Sequence, residues 1–185
     1  MTETALATRL RTLVRDVPDF PKSGILFKDI TPLLADGDAL RDATRAMAEP
    51  FKDSSIDRVV GIESRGFILG SIVARELSVG FVPVRKPGKL PALKTSIEYA
   101  LEYGTDKLEV HSDACERTSR VLIVDDVLAT GGTARATCEL MERVGAQVVG
   151  LSFLIVLDFL RGRDRPIDRR VGTKTQIIFA CRKRE

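Results

Sequence analysis

The chain has 185 residues, of which 44% are hydrophobic and 30% charged, with a formal net charge of +3. That length and balance describe one globular domain with enough apolar residues for a real core. No apolar run approaches the roughly 18 residues needed to cross a bilayer, and Met1-Thr2-Glu3-Thr4 has neither a basic n-region nor an apolar h-region, so neither a membrane span nor a secretory signal is expected.

Leu6, Leu10, Leu13, Val14 and Val17 recur at helical spacing and predict an amphipathic helix that stops at Pro18. Residues 20–29 follow as a proline- and glycine-broken loop around Phe20 and Phe27, whose backbone groups are expected to go unclaimed by helix or sheet. Asp38 can cap a second helix with Leu40, Ala43, Met47 and Phe51 on its apolar face, ended by Asp53-Ser54-Ser55. Residues 58–62 read as the first buried strand. Glu63-Ser64-Arg65-Gly66 stands at its end, and a helix packed through Phe67, Ile68, Ile72, Val73 and Leu77 follows. A strand that turns into a helix N-terminus is a geometry that holds an anion, with Arg65 offering bidentate donors and Gly66 permitting close backbone approach.

Residues 81–84 make the next short strand and deliver Arg85, Lys86 and Lys89 into a turn rich in glycine and proline, a set of cations suited to several phosphate charges. Residues 87–106 show no convincing period. So long an irregular stretch in a compact domain is disordered or a functional lid, and Ile97, Tyr99, Leu101 and Tyr103 give a lid something to bury. Residues 106–112 return as an alternating strand.

The most informative stretch is Val121-Leu-Ile-Val-Asp-Asp-Val-Leu-Ala-Thr-Gly-Gly-Thr133. Its apolar start reads as a strand buried on both faces, as in a parallel sheet with helices on either side. Asp125 and Asp126 stand at the strand's C-terminal end. Ala129, Thr130, Gly131, Gly132 and Thr133 then form a tight turn into a helix packed through Thr133, Thr137, Leu140, Met141 and Val144 and closed by Gly145. The free N–H groups of the turn and the helix dipole suit a phosphate, Thr130 and Thr133 add hydroxyls, Gly132 is the position where a β-branched side chain would occupy the space meant for phosphate and resist any left-handed backbone, and the aspartates suit ribose hydroxyls. No Lys-Ser/Thr follows the glycines and no G-x-G-x-x-G spacing is present, so neither a Walker loop nor a dinucleotide fingerprint is written here.

Residues 148–157 are another apolar strand, expected to lie parallel to the first ones. Alternating strands and helices predict a doubly wound, mostly parallel α/β sheet, and the three charged motifs all fall at strand C-termini, where such sheets bind ligands. Cys115, Cys138 and Cys181 lie far apart without a C-x-x-C pair, which argues against zinc and a disulfide framework and fits a reducing cytoplasm. His111, the single histidine, leaves Ser-His-Asp and multi-histidine metal sites short of parts and reads as a partly exposed strand residue. Arg161, Arg163, Arg165, Arg169, Arg170, Lys174, Arg182, Lys183 and Arg184 cluster near the C-terminus, but no aromatic residues interleave to stack bases, so this reads as a solvated face and nucleic-acid binding is not expected.

The 121–133 stretch resembles the phosphoribosyl-pyrophosphate (PRPP) motif of the type I phosphoribosyltransferases. Read with Phe20-Pro-Lys-Ser-Gly-Ile-Leu-Phe-Lys-Asp29, Glu63-Ser-Arg-Gly-Phe67, Arg85-Lys-Pro-Gly-Lys-Leu-Pro91 and Leu101-Glu-Tyr-Gly104, the chain is similar to the adenine-specific branch of that family from about residue 10 to about residue 160. The resemblance implies one domain with an N-terminal hood over residues 1–35, a lid over about residues 87–106 and a basic segment over about residues 161–185. It further implies a cytoplasmic homodimer that uses Mg²⁺ to transfer the phosphoribosyl group of PRPP to adenine.

By the same resemblance, Asp125 and Asp126 hold the ribose diol and lie near Mg²⁺, which the ligand's own oxygens and water would otherwise hold. Residues 129–133 hold the 5′-phosphate; Ser64, Arg65, Arg85, Lys86 and Lys89 hold pyrophosphate. Leu26, Phe27 and Lys28 receive adenine, with the Phe27 ring stacking on it and the main chain around Leu26 reading the base. Glu102 handles the proton on the attacking nitrogen, with Tyr103 beside the pyrophosphate and Arg65 completing the catalytic set. Lys28 stands where many relatives carry Arg, which keeps the charge and loses the rigid fork. A sibling enzyme for another base shares the PRPP motif, and a PRPP-sensing nucleic-acid-binding regulator on the same fold is the alternative of a different class.

Overall fold

A computed structural model describes residues 4–100, 105–162 and 173–181. Its centre is a five-stranded sheet built from β3 (Arg58–Ile62), β4 (Gly80–Val84), β7 (Arg120–Leu128), β8 (Gln147–Leu157) and β9 (Lys174–Cys181) in the order β4-β3-β7-β8-β9. Every neighbouring pair in it is parallel. Alternation along the strands sends Val59, Leu122 and Val124 to one core and Val60, Ile62, Val121 and Ile123 to another. The first core is covered by α1 (Ala5–Thr12), α2 (Thr31–Ala35), α3 (Gly37–Ala48) and α4 (Arg65–Glu76). The second is covered by α5 (Gly132–Arg143) and by the antiparallel hairpin of β5 (Lys94–Ala100) and β6 (Thr105–His111). The doubly wound α/β reading therefore holds.

Several local expectations need correction. The first helix ends at Thr12, not before Pro18, and the chain turns into β1 (Arg15–Pro18), which pairs antiparallel with β2 (Leu26–Asp29). Val14 and Val17 kept helical spacing by chance; a β-branched residue pairs as well across a hairpin, and Val17 lies opposite Phe27. The second long helix, α3, is capped by Asp36, whose carboxylate accepts from the N–H of Ala39 at 2.9 Å, while Asp38 sits in its first turn and pairs with Arg41. On α4 the packed positions are Gly66, Leu69, Gly70, Val73 and Ala74, and Ile68 is 43% exposed, so the buried stripe is rotated toward small residues that bring the helix close to the sheet. Residues 94–100, expected to be irregular, form β5; its register with β6 is set by a partner, which periodicity within one segment cannot show. The parallel strand β9 is a further element that the sequence pattern does not predict, because its Ile177-Ile178-Phe179 core is short and stands among polar and basic neighbours. Of the C-terminal basic cluster, Arg163, Arg165, Arg169, Arg170, Arg182, Lys183 and Arg184 lie outside the described residues.

Gly150 in β8 faces the ring of the buried Phe51, and a Cβ there would overlap it. Gly150→Ala should force that ring to shift and destabilise the fold by about 1–3 kcal/mol. Chemical denaturation of the variant and parent checks this.

Candidate active site

The acidic pair owes its setting to unequal strand lengths. β3 pairs with β7 only as far as Gly61 opposite Val124, whereas β8 accompanies β7 to Leu128 opposite Val156. Asp125 and Asp126 are thus still in a strand, yet beyond the point where β3 turns away into α4. The first turn of α4 fills that corner. A Cβ at Gly66 would lie 2.9 Å from both Asp125 Oδ1 and the Val124 carbonyl oxygen, so the close approach that this glycine permits is to β7 itself and not to an anion.

Arg65, next in line, reaches Asp126: its Nε lies 2.9 Å from Asp126 Oδ2. That buried oxygen nevertheless receives no aligned hydrogen bond, so the contact is ionic rather than directed. Asp125 Oδ1 accepts from the Asp126 N–H at 2.9 Å. Burial, followed by the charge of Asp126, pushes Asp125 well above the usual carboxylate range. Burial raises Asp126 as well, with Arg65 pulling in the other direction. Two crowded carboxylates, one with an unsatisfied oxygen, are chemically suited to hydroxyl donors or to the hydration shell of a hard cation such as Mg²⁺. No cluster of three carboxylate, histidine or cysteine ligands exists among the described residues, so a cation there would rely on ligand and water oxygens for the rest of its shell.

Beyond the carboxylates, Ala129, Thr130, Gly131, Gly132 and Thr133 form a half-buried turn into α5. The left-handed residue is Gly131, at φ +82°, rather than Gly132, which already begins the helix. Gly162 packs against Ala129 so closely that a Cβ would overlap the Ala129 carbonyl, which backs the turn from behind.

The cations at the ends of β3 and β4 are held by carboxylates that sequence reasoning did not assign. Glu63 accepts from Arg85 Nε at 3.2 Å and from the Lys86 N–H at 2.9 Å. Burial tends to raise its pKa, but the Lys86 N–H and the Arg85 guanidinium outweigh it and hold the group below its ordinary value. Buried Glu109 accepts from the Gly88 N–H at 3.1 Å and pairs with Lys94, while its backbone bridges Arg85. Lys86 pairs with Asp106, and Lys89 is exposed, its carbonyl accepting from Arg85. Ser64 is exposed at the start of α4 and makes no cap bond. Glu63 was legible only as an acidic residue within a charged motif at a strand end, and Glu109, inside β6, carried no such signal.

The β1–β2 hairpin completes the corner. Arg65 lies over the Phe27 ring at 4.8 Å and donates to the Lys28 carbonyl at 3.4 Å; Phe20 meets Phe27 edge-on at 5.1 Å. The Lys28 ammonium is taken by Asp16, directly opposite in the hairpin. Because the Lys28 carbonyl turns away from β1 toward Arg65, the alternation of an antiparallel ladder turns the Leu26 N–H and C=O the same way. Pro18, which has no N–H to give, stands opposite Leu26, as that register requires. Leu26 is therefore in a strand, contrary to expectation, but its main-chain groups face the open edge. Glu102 and Tyr103 lie outside the described residues.

A model of the phosphoribosyl transferase domain matches residues 30–180. The adenine phosphoribosyltransferase of Acaryochloris marina is 58% identical over 163 residues, covering 88% of this chain and 96% of that one. The chain belongs to the adenine phosphoribosyltransferase family. Among solved structures, the adenine phosphoribosyltransferase of Rhodothermus marinus superposes with a TM-score of 0.89 at 52% identity, covering 95% of this chain and 98% of that one. The Saccharomyces cerevisiae adenine phosphoribosyltransferase, complexed with an imino-altritol bisphosphate and adenine, does so with a TM-score of 0.84 at 38% identity, covering 95% and 99%.

Because the folded-state pKa of Asp125 is raised, its ionised form costs stability as pH climbs through the unfolded carboxylate range near about 4 and above. Asp125→Asn removes that charge and keeps a carbonyl for the Asp126 N–H. The ligand-free variant should melt about 2 °C or more above the parent at neutral pH, with the gap closing below about pH 4. Calorimetry across that pH range checks both the sign and the window.

Proposed function

We propose that this chain transfers the phosphoribosyl group of PRPP to adenine, giving AMP and pyrophosphate, as a step of purine salvage. One observation carries the reading: a single strand end, β7, sets a carboxylate pair beside a glycine turn at a helix start, with Arg65, which follows β3, paired to Asp126. Asp125 and Asp126 would accept from the ribose diol, and residues 129–133 would hold the 5′-phosphate with main-chain N–H groups and the Thr130 and Thr133 hydroxyls. Ser64, Arg65, Arg85, Lys86 and Lys89 would receive pyrophosphate.

In the reaction an imidazole nitrogen of adenine attacks the anomeric carbon, and the bond to pyrophosphate breaks with its electron pair leaving on oxygen. Positive charge develops on the ribose, so the nearby carboxylates favour the transition state, while the guanidinium and ammonium groups stabilise the charge gathering on the leaving group. Mg²⁺ bound near Asp125 and Asp126 would neutralise part of that charge. The hood over residues 1–35 would position adenine with Phe27 against its face and the Leu26 N–H and C=O at its edge; Lys28, engaged by Asp16, acts through its carbonyl and not its ammonium. The lid, about residues 87–106, would exclude water that otherwise hydrolyses the activated sugar, with Glu102 taking up the proton of the attacking nitrogen and Tyr103 beside the pyrophosphate. The reading includes a homodimer, as the family resemblance suggests, and a cytoplasmic setting, supported by cysteines that lie far apart in sequence without a C-x-x-C pair.

Incubation with PRPP, Mg²⁺ and each purine in turn should yield AMP from adenine and little product from hypoxanthine or guanine; equal conversion of hypoxanthine would overturn the assignment of the base. Asp126→Asn, which swaps an acceptor for a donor, should lose roughly 2 kcal/mol or more of transition-state stabilisation while circular dichroism shows the fold intact.

Main-chain reading of the base has its own test. Hypoxanthine sets a carbonyl against the Leu26 carbonyl, leaving polar groups unpaired at about 1–3 kcal/mol each. Leu26→Ala should therefore lower kcat/KM through lost packing yet keep the adenine preference within about tenfold of the parent. A collapse by a hundredfold or more would return the role to side chains.

A further inference from the structure

The β5–β6 hairpin meets the phosphate turn through one side chain that the reaction as described leaves unused. Tyr99 and Asp106 lie directly opposite each other, one rung below the Ala100–Thr105 pair that ends the ladder at its tip. Tyr99 Oη is 3.2 Å from Asp106 Oδ2 and 3.3 Å from Thr133 Oγ1. The same Asp106 oxygen takes the ammonium of Lys86, and Asp106 Oδ1 accepts from the Lys107 N–H at 2.8 Å. Thr133, Tyr99, Asp106 and Lys86 thus form one connected line running from the first turn of α5, through the hairpin stem, to the cationic turn after β4.

The hydrogens along that line can be counted. An ammonium only donates and a carboxylate only accepts, so the Tyr99 hydroxyl donates to Asp106 and the Thr133 hydroxyl donates to Tyr99. Burial, the largest influence on Tyr99, raises its pKa and keeps that proton in place. Every hydrogen therefore points toward Asp106. PRPP reverses the demand at both ends, because its 5′-phosphate takes the Thr133 hydrogen and its pyrophosphate takes Lys86. Asp106 then depends on the Tyr99 hydroxyl and the Lys107 N–H alone, and without the hydroxyl it would keep a tighter hold on Lys86.

We propose that Tyr99 is a positioning residue for PRPP, whose hydroxyl, by donating to Asp106, frees Lys86 from Asp106 for the pyrophosphate. This rests on the phosphoribosyl-transfer reading above. Tyr99→Phe removes the hydroxyl and leaves the ring that packs against the second core. Steady-state kinetics with PRPP, adenine and Mg²⁺ should show KM for PRPP raised about three- to tenfold, with a smaller change in kcat and none in KM for adenine. In an Asp106→Asn background, where Lys86 is no longer held by a charge, the Tyr99→Phe penalty should shrink below about twofold. Melting with PRPP alone is a second readout that needs no Asp106 variant: the rise caused by PRPP should be smaller in Tyr99→Phe than in the parent. An unchanged KM for PRPP, an equal PRPP-induced rise, or the same penalty in both backgrounds overturns the inference. A parent that makes no AMP overturns the transfer reading and this inference with it, whereas an active parent with an unmoved Tyr99→Phe overturns the inference alone.

Discussion

The corner where α4 meets β7 governs the rest of the site. With no room for a Cβ at Gly66, the helix start lies against the Val124 carbonyl and the Asp125 carboxylate. That contact places Arg65 at Asp126, and Arg65 in turn lies over Phe27 and binds the Lys28 carbonyl. One guanidinium therefore joins the central sheet to the N-terminal hairpin, and a planar fork over a ring does this in a way a lysine would not. Gly61 and Gly70, which face Phe81 as Gly66 faces Asp125, extend the same close packing of α4 along the sheet.

Two opposite electrostatic regimes sit side by side around that corner. On the cationic turn, Glu63, Glu109 and Asp106 are each satisfied by an N–H and a cation, and each is held below its ordinary pKa although burial opposes this. Those carboxylates hold Arg85, Lys86 and the Gly88 N–H in defined positions at the end of β4. At Asp125 and Asp126 the balance is reversed: burial raises both, the charge of Asp126 raises Asp125 further, and the unsatisfied Asp126 Oδ2 marks a cost that the fold tolerates. Unfavourable charge gathered at one point of an otherwise well-paired structure is what a site for hydroxyl donors and cationic character requires.

The hairpin of β5 and β6 links these regimes. Its apolar side packs Ile97, Leu108 and Val110 into the core beside α5, so its stem is anchored, while Tyr99 reaches Thr133 of the glycine turn and Asp106 reaches Lys86.

The sequence by itself determined the central strands β3, β4, β7 and β8, the helices after Glu63-Ser64-Arg65 and after the Asp125–Asp126 pair, the glycine turn and the grouping of charged motifs at strand C-termini. All of these depend on patterns inside one segment: β-branched runs, helical spacing and glycine next to a helix start. The family was legible for the same reason, because its motifs are contiguous. Tertiary structure alone decided what depends on a partner. The hairpins β1–β2 and β5–β6 are pairings between segments, and neither half of either one announces its register. Asp36 rather than Asp38 caps α3, and Gly131 rather than Gly132 takes the left-handed turn, because each helix start follows the backbone conformation of its cap, extended at Asp36 and left-handed at Gly131. Glu63, Glu109 and Asp106 became site residues only when the fold brought cations within reach of their oxygens, and Lys28 ceased to be a free cation once Asp16 faced it across the hairpin. A side chain's charge is written in the chain, but the partner that uses it is set by contacts between residues far apart in sequence.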